Sequence, residues 1–143
     1  MIDKNLIQGK IDLIEKDLQF LKQYKSIQNE EFLNNYKDIQ AVKYSLFEMI
    51  EASIDIASHI ISIKGFERAE SYAEMFEILG KKNIVDLKLS ERLANMARFR
   101  NVLIHGYAKV DNSKILTYVQ KNLIDLADFI KSILKFLKNE NEN

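Results

Sequence analysis

No proline interrupts the 143 residues of this chain, and apolar residues recur along most of it at alternating spacings of three and four. Proline removes a backbone donor and clashes with the preceding turn, so its absence leaves little to break a helix from within. Ile7, Ile11, Ile14, Leu18 and Leu21 keep the alternation strictly, which predicts an amphipathic helix over roughly Asp3 to Ile27 with a narrow apolar seam. Ser26 to Glu30 reads as a break and restart. A second helix is predicted over about Asp38 to Lys64, where Ile39, Val42, Leu46, Met49, Ile50, Ile56, Ala57, Ile60 and Ile61 form a wide apolar arc and Gly65 is the natural stop. A shorter helix, about Ala69 to Leu79, ends at Gly80, and Lys81 to Leu89 reads as a loop. Ser90 is read as the N-cap of the next helix, which closes at Gly106. The last begins near Asp111 or Ser113 and carries Leu116, Val119, Leu123, Leu126, Ile130, Ile133 and Leu137 on one stripe, with a frayed tail after Lys138 (about residues 139–143). No segment alternates apolar and polar residues as a half-buried strand would. The expected fold class is therefore all-α, an up-and-down bundle of about four or five helices, with residues 1–143 forming one domain.

Composition narrows the functional classes. Lysine and arginine together number 21 and so do aspartate and glutamate, so the chain lacks the global positive field of a protein that coats nucleic acid, and any RNA contact must be local. Cysteine is absent, which excludes disulfides and thiolate metal sites and agrees with a reducing compartment. No N-terminal signal pattern and no apolar run of membrane-spanning length is present, so the expected location is the cytoplasm, away from membranes.

Arg100 is the anomaly in this pattern. Between Ser90 and His105, residues Leu93, Met96, Ala97, Leu103 and Ile104 mark one helical face, and Arg100 falls in its middle. A guanidinium does not lose its proton, so a buried one needs an anion, either a carboxylate of the same protein or the phosphate of a ligand. The chain has only four arginines, Arg68, Arg92, Arg98 and Arg100, and three lie on this helix; Arg92 and Arg98 are read as solvated surface charges. His105 is expected in the last turn, where the negative end of the helix dipole favours imidazolium. Arginine can neutralise phosphate charge and histidine can move a proton near neutral pH, so the pair suits phosphodiester chemistry without a metal. What one chain lacks is a second acid or base, which a two-fold homodimer would supply. The structural alternative is that His105 caps the helix and Arg100 pairs with Glu51 or Asp55.

Those two carboxylates belong to a polar stripe on the second helix: Glu48, Glu51, Asp55, His59 and Ser62. Asp55 and His59 are one turn apart, but one histidine among scattered carboxylates specifies no coordination geometry. A solvated face is the better reading, and neither a metal nor a cofactor is expected.

Beyond the bare pair, Arg100, Asn101, His105 and Tyr107 spell R-N-x-x-x-H-x-Y. This string resembles the HEPN superfamily, specifically its HepT-like toxins, and so do FEMIEASIDIASHIIS, FEILG, MARFRNVLIHGYAKVD and the last long helix. The resemblance covers nearly the whole chain, apart from the segment Gln23 to Lys37. It implies a homodimeric, metal-independent endoribonuclease, the toxin of a toxin–antitoxin pair. The implied partner is a minimal nucleotidyltransferase antitoxin of the MntA type, which silences the toxin by transferring AMP to the motif tyrosine. Carried over residue by residue, Arg100 would bind phosphate, His105 would be the acid or base, Asn101 would support the geometry and Tyr107 would be the modified position. A binding module that docks the nucleotidyltransferase or holds a nucleotide, without catalysis, is the alternative.

Overall fold

The computed structural model describes residues 1–105 and 109–142, and every regular element in them is helical. The elements run α1 (Lys4–Leu21), a 3₁₀ turn (Lys22–Tyr24), α2 (Asn29–Leu33), α3 (Tyr36–Lys64), α4 (Tyr72–Lys81), α5 (Leu87–His105), α6 (Lys109–Lys121) and α7 (Ile124–Glu142). The all-α expectation holds. The count of α-helices is seven among the described residues rather than four or five, because the last predicted helix is divided and the short α2 forms where only a break and restart was read.

Capping explains several boundaries. Asp3 accepts a hydrogen bond from the Leu6 amide at 3.0 Å and so opens α1. The helix ends at Leu21, earlier than the seam predicts, and tightens into the 3₁₀ turn. Asn35 opens α3 by accepting from the Asp38 amide at 3.1 Å. At its far end Gly65 has φ 67°, the left-handed conformation that lets the Phe66 amide reach back to Ile61 O at 3.0 Å.

Other boundaries depart from expectation. Gly80 does not stop α4; the helix runs to Lys81 and Asn83, at φ 60°, makes the left-handed turn. Gly80 is glycine for a different reason: a Cβ there would lie 2.4 Å from Ser90 Oγ and 2.6 Å from Ser90 Cβ, so α4 and α5 approach closely at this point. Ser90 is not an N-cap. Its hydroxyl is buried and donates to Phe76 O on α4 at 2.8 Å, while Asp86 caps α5 by accepting from the Leu89 amide at 2.7 Å. The final stripe is carried by two helices, because i to i+3 bonds from Asp125 N to Asn122 O and from Leu126 N to Leu123 O turn the chain between α6 and α7. The frayed tail expected after Lys138 is also corrected over residues 139–142: α7 continues to Glu142, and Glu140 pairs with Lys64 at 2.9 Å.

The buried residues of these helices form one cluster. α1 and α2 pack on α3, α4 packs along α5, and α7 lies against α1 and α5. Phe76 of α4 and Phe129 of α7 are fully buried and meet edge to face at 5.8 Å. Gln120 of α6 donates to the carbonyls of Tyr24 and Ile27 at 3.1 and 3.0 Å, satisfying the connection between α1 and α2. No helix among the described residues is long and apolar enough to cross a membrane.

Candidate active site

α5 carries the two residues of the Arg/His pair on one rod. Leu93, Met96, Ala97 and Leu103 of its inner face are buried, Ile104 is partly so, and Arg100 is three-quarters buried with a side chain 24% exposed. Its charge is matched within the chain: Nε donates to Glu51 Oε1, which lies on the middle of α3. The guanidinium carbon is also 5.3 Å from the ring centroid of Phe47 and 5.3 Å from that of Tyr72. Phe47 stands one turn before Glu51 on α3, so both point the same way by helical geometry. Tyr72 is the first residue of α4, where Ser71 fixes the entering backbone by accepting from the Glu74 amide at 3.1 Å. Carboxylate and aromatic faces are the two environments that suit a weakly hydrated, planar cation.

Among the described residues Nη1 and Nη2 of Arg100 have no acceptor. The guanidinium is thus tied at one edge and, among the described residues, without an acceptor at the other, where a phosphate oxygen pair would fit its fork. His105 is the last residue of α5 and is exposed, at the negative end of the helix dipole. Asn101 is exposed beside Arg100. Tyr107 lies outside the described residues.

The polar stripe of α3 separates into single tasks. Glu51 holds Arg100, but Asp55 pairs with Lys10 of α1 at 2.9 Å, so the expected support from Asp55 is corrected: it neutralises a different cation. His59 Nε2 accepts from the Asp3 amide at 3.0 Å, holding the start of α1. Glu48 faces Asp17, a carboxyl only 6% exposed on α1. Burial, reinforced by hydrogen bonding and repulsion from Glu48, pushes the Asp17 pKa up to about 7. Among the described residues no group of three His, Cys, Asp or Glu side chains could hold a metal ion.

Arg92 is exposed, as read, with its side chain 44% accessible, but it also has a task. It donates to Asp125, a carboxylate 3% exposed at the start of α7, at 2.8 Å, and so ties α5 to α7. Arg98 is exposed and reaches Asn95 at 2.8 Å and Glu77 at 3.2 Å. Phe47 and Tyr72 were not singled out by sequence reasoning. Helical spacing from Glu51 could have flagged Phe47; nothing in the sequence brings Tyr72 to Arg100.

An all-helical bundle with an anchored arginine five residues before a histidine at a helix end is the arrangement that the resemblance to HEPN proteins implies. The family model for HepT-like ribonucleases matches residues 14–133, and the chain belongs to that family. It is 27% identical over 137 residues to the tRNA nuclease HepT of Aphanizomenon flos-aquae, covering 95% of this chain and 92% of that protein. It is also 27% identical over 129 residues to the mRNA nuclease HepT of Shewanella oneidensis, covering 90% and 96%. Among solved structures it resembles the tri-AMPylated Shewanella oneidensis HEPN toxin in complex with its MNT antitoxin, with TM-score 0.83 and 26% identity over 94% of this chain and 99% of that one. A cytosolic protein of Bacillus subtilis, YutE, shares the fold at TM-score 0.79 and 19% identity.

Proposed function

We propose that this chain is a metal-independent endoribonuclease toxin that acts in the cytoplasm as a homodimer, with residues 1–143 working as one unit. The observation that carries the reading is the state of Arg100: its charge is matched through Nε, and among the described residues Nη1 and Nη2 have no acceptor and can take a phosphate. In this reading Arg100 binds the non-bridging oxygens of the scissile phosphate, and Asn101 supports that geometry. His105 takes the proton of the 2′-hydroxyl as its oxygen forms a bond to phosphorus. A second, protonated His105 from the two-fold partner gives a proton to the departing 5′-oxygen as the P–O bond breaks. No metal enters this balance.

The partner is a nucleotidyltransferase antitoxin that transfers AMP to Tyr107. The AMPylated toxin complexed with an MNT antitoxin, to which this chain is similar, supports the assignment. Adding a nucleotide two residues from His105 would place bulk and negative charge where an RNA phosphate must sit.

Expression in a bacterial host tests this reading. The chain should arrest growth, and Arg100→Ala or His105→Ala should each restore it. Arrest that persists in both variants would dismiss the assignment. A stable complex with the nucleotidyltransferase but no arrest and no RNA turnover would instead identify a binding module.

A further inference from the structure

The contacts around Arg100 carry one step more, which rests on the nuclease reading above. An arginine side chain has four rotatable bonds and can offer its fork in many directions, so a phosphate-binding arginine on a helix surface would be poorly aimed. Here three side chains from two helices restrict it. Glu51 of α3 holds Nε, Phe47 of α3 lies 5.3 Å from Cζ, and Tyr72 of α4 lies 5.3 Å from Cζ. Glu51 sets which edge faces inward, and the rings limit tilting of the plane.

Phe47 is partly buried and packs against the core. Tyr72 is different: it is 45% exposed, its ring is stacked neither on Phe47 nor on any other aromatic among the described residues, and its hydroxyl donates to nothing there. An exposed aromatic at the first position of a helix contributes little to folding that alanine would not. Its ring lies against the guanidinium of Arg100. We infer that Tyr72 is a positioning residue of the ribonuclease site: its ring, with Phe47, holds Arg100 so that Nη1 and Nη2 face the position of the scissile phosphate.

The test pairs kinetics with a signal that does not depend on turnover. In cleavage of a fluorogenic oligoribonucleotide, Tyr72→Ala should lower kcat by roughly ten- to a hundredfold, the cost of a misaimed catalytic group, with a smaller change in KM. Tyr72→Phe, which keeps the ring, should restore kcat to within about threefold of the parent. Independently, the ¹H–¹⁵Nε resonance of Arg100, assigned by its loss in Arg100→Lys, should carry a ring-current shift in the parent and in Tyr72→Phe that Tyr72→Ala removes. Undiminished kcat in Tyr72→Ala would overturn the inference, and so would failure of Tyr72→Phe to rescue. If the parent cleaves no RNA while the Nε resonance still responds to Tyr72→Ala, the clamp stands and the nuclease reading fails.

Discussion

Arg100 of α5 and Glu51 of α3 form an ion pair at which the inner face of one helix is joined to the polar stripe of the other. Both side chains are partly buried, at 24% and 36% exposure, so water screens the pair incompletely. Glu51→Ala strands the guanidinium against two rings without a carboxylate. It should lower unfolding free energy by about 1–2 kcal/mol, the range for a hydrogen bond to a charged group. Arg100→Met leaves the Glu51 carboxylate unpaired, but Glu51 is the more exposed partner at 36% and can turn to water, so this change should cost less, about 1 kcal/mol. Urea unfolding of both variants checks the order, and Met being the more damaging would contradict the role given to Glu51.

Asp17 makes a pH prediction. Its pKa in the folded chain is about 7 against 3.8 for the unpaired group, so between these values the folded state binds more protons than the unfolded one. Stability should therefore fall as pH rises from about 4 to 7, and the penalty should be complete above 7. Burial raises it most and Glu48 of α3 adds to that, while Ser45 of α3 and Lys16 of α1 pull it down. Asp17→Asn cannot ionise and should flatten that part of the profile, gaining relative to the parent by a few kcal/mol at most at pH 8. Chemical denaturation at pH 5 and pH 8 measures the difference, and parallel profiles for the two proteins would refute it.

Gly80→Ala should be among the more damaging single-methyl changes in the chain. The new carbon would press on Ser90 at 2.4 Å, and Ser90 cannot retreat without breaking its bond to Phe76 O. A loss of about 1–3 kcal/mol is expected, as for overpacking elsewhere. Adding Ser90→Gly should recover part of it, and thermal melts of the single and double variants would show this.

Co-expression with a nucleotidyltransferase antitoxin of the MNT type should add adenylate mass to the tryptic peptide that contains Tyr107. Tyr107→Phe should remain toxic in the presence of that partner. Intact-mass spectra showing only unmodified Tyr107 in a neutralised complex would mean that the antitoxin works by occlusion.

Much of this was legible in the sequence, for reasons that particular residues make clear. The apolar arc of α3 and the stop at Gly65 are local, so spacing and one left-handed glycine suffice to read them. Gly80 looked like a second stop because composition cannot distinguish a glycine that turns the chain from one that lets another helix come near. The turn at Asn122 and Leu123 was invisible because it leaves the apolar stripe in phase, from Val119 through Leu126. At the site, the need of Arg100 for an anion was evident from its place on an apolar face, and Glu51 and Asp55 were equal candidates. The choice between them is tertiary: it depends on Lys10 of α1 reaching Asp55. The same holds for Tyr72, whose approach to Arg100 is set by the packing of α4 on α5, and for Arg92, whose partner Asp125 lies 33 residues away.

The most direct measurement of the central claim is cleavage of a radiolabelled tRNA or mRNA pool by the purified chain in excess EDTA. The account predicts cleavage by the parent that leaves 2′,3′-cyclic phosphate ends, with a loss of at least about a hundredfold in Arg100→Ala and in His105→Ala. Cleavage that requires an added divalent metal, or that survives in both variants, would contradict it.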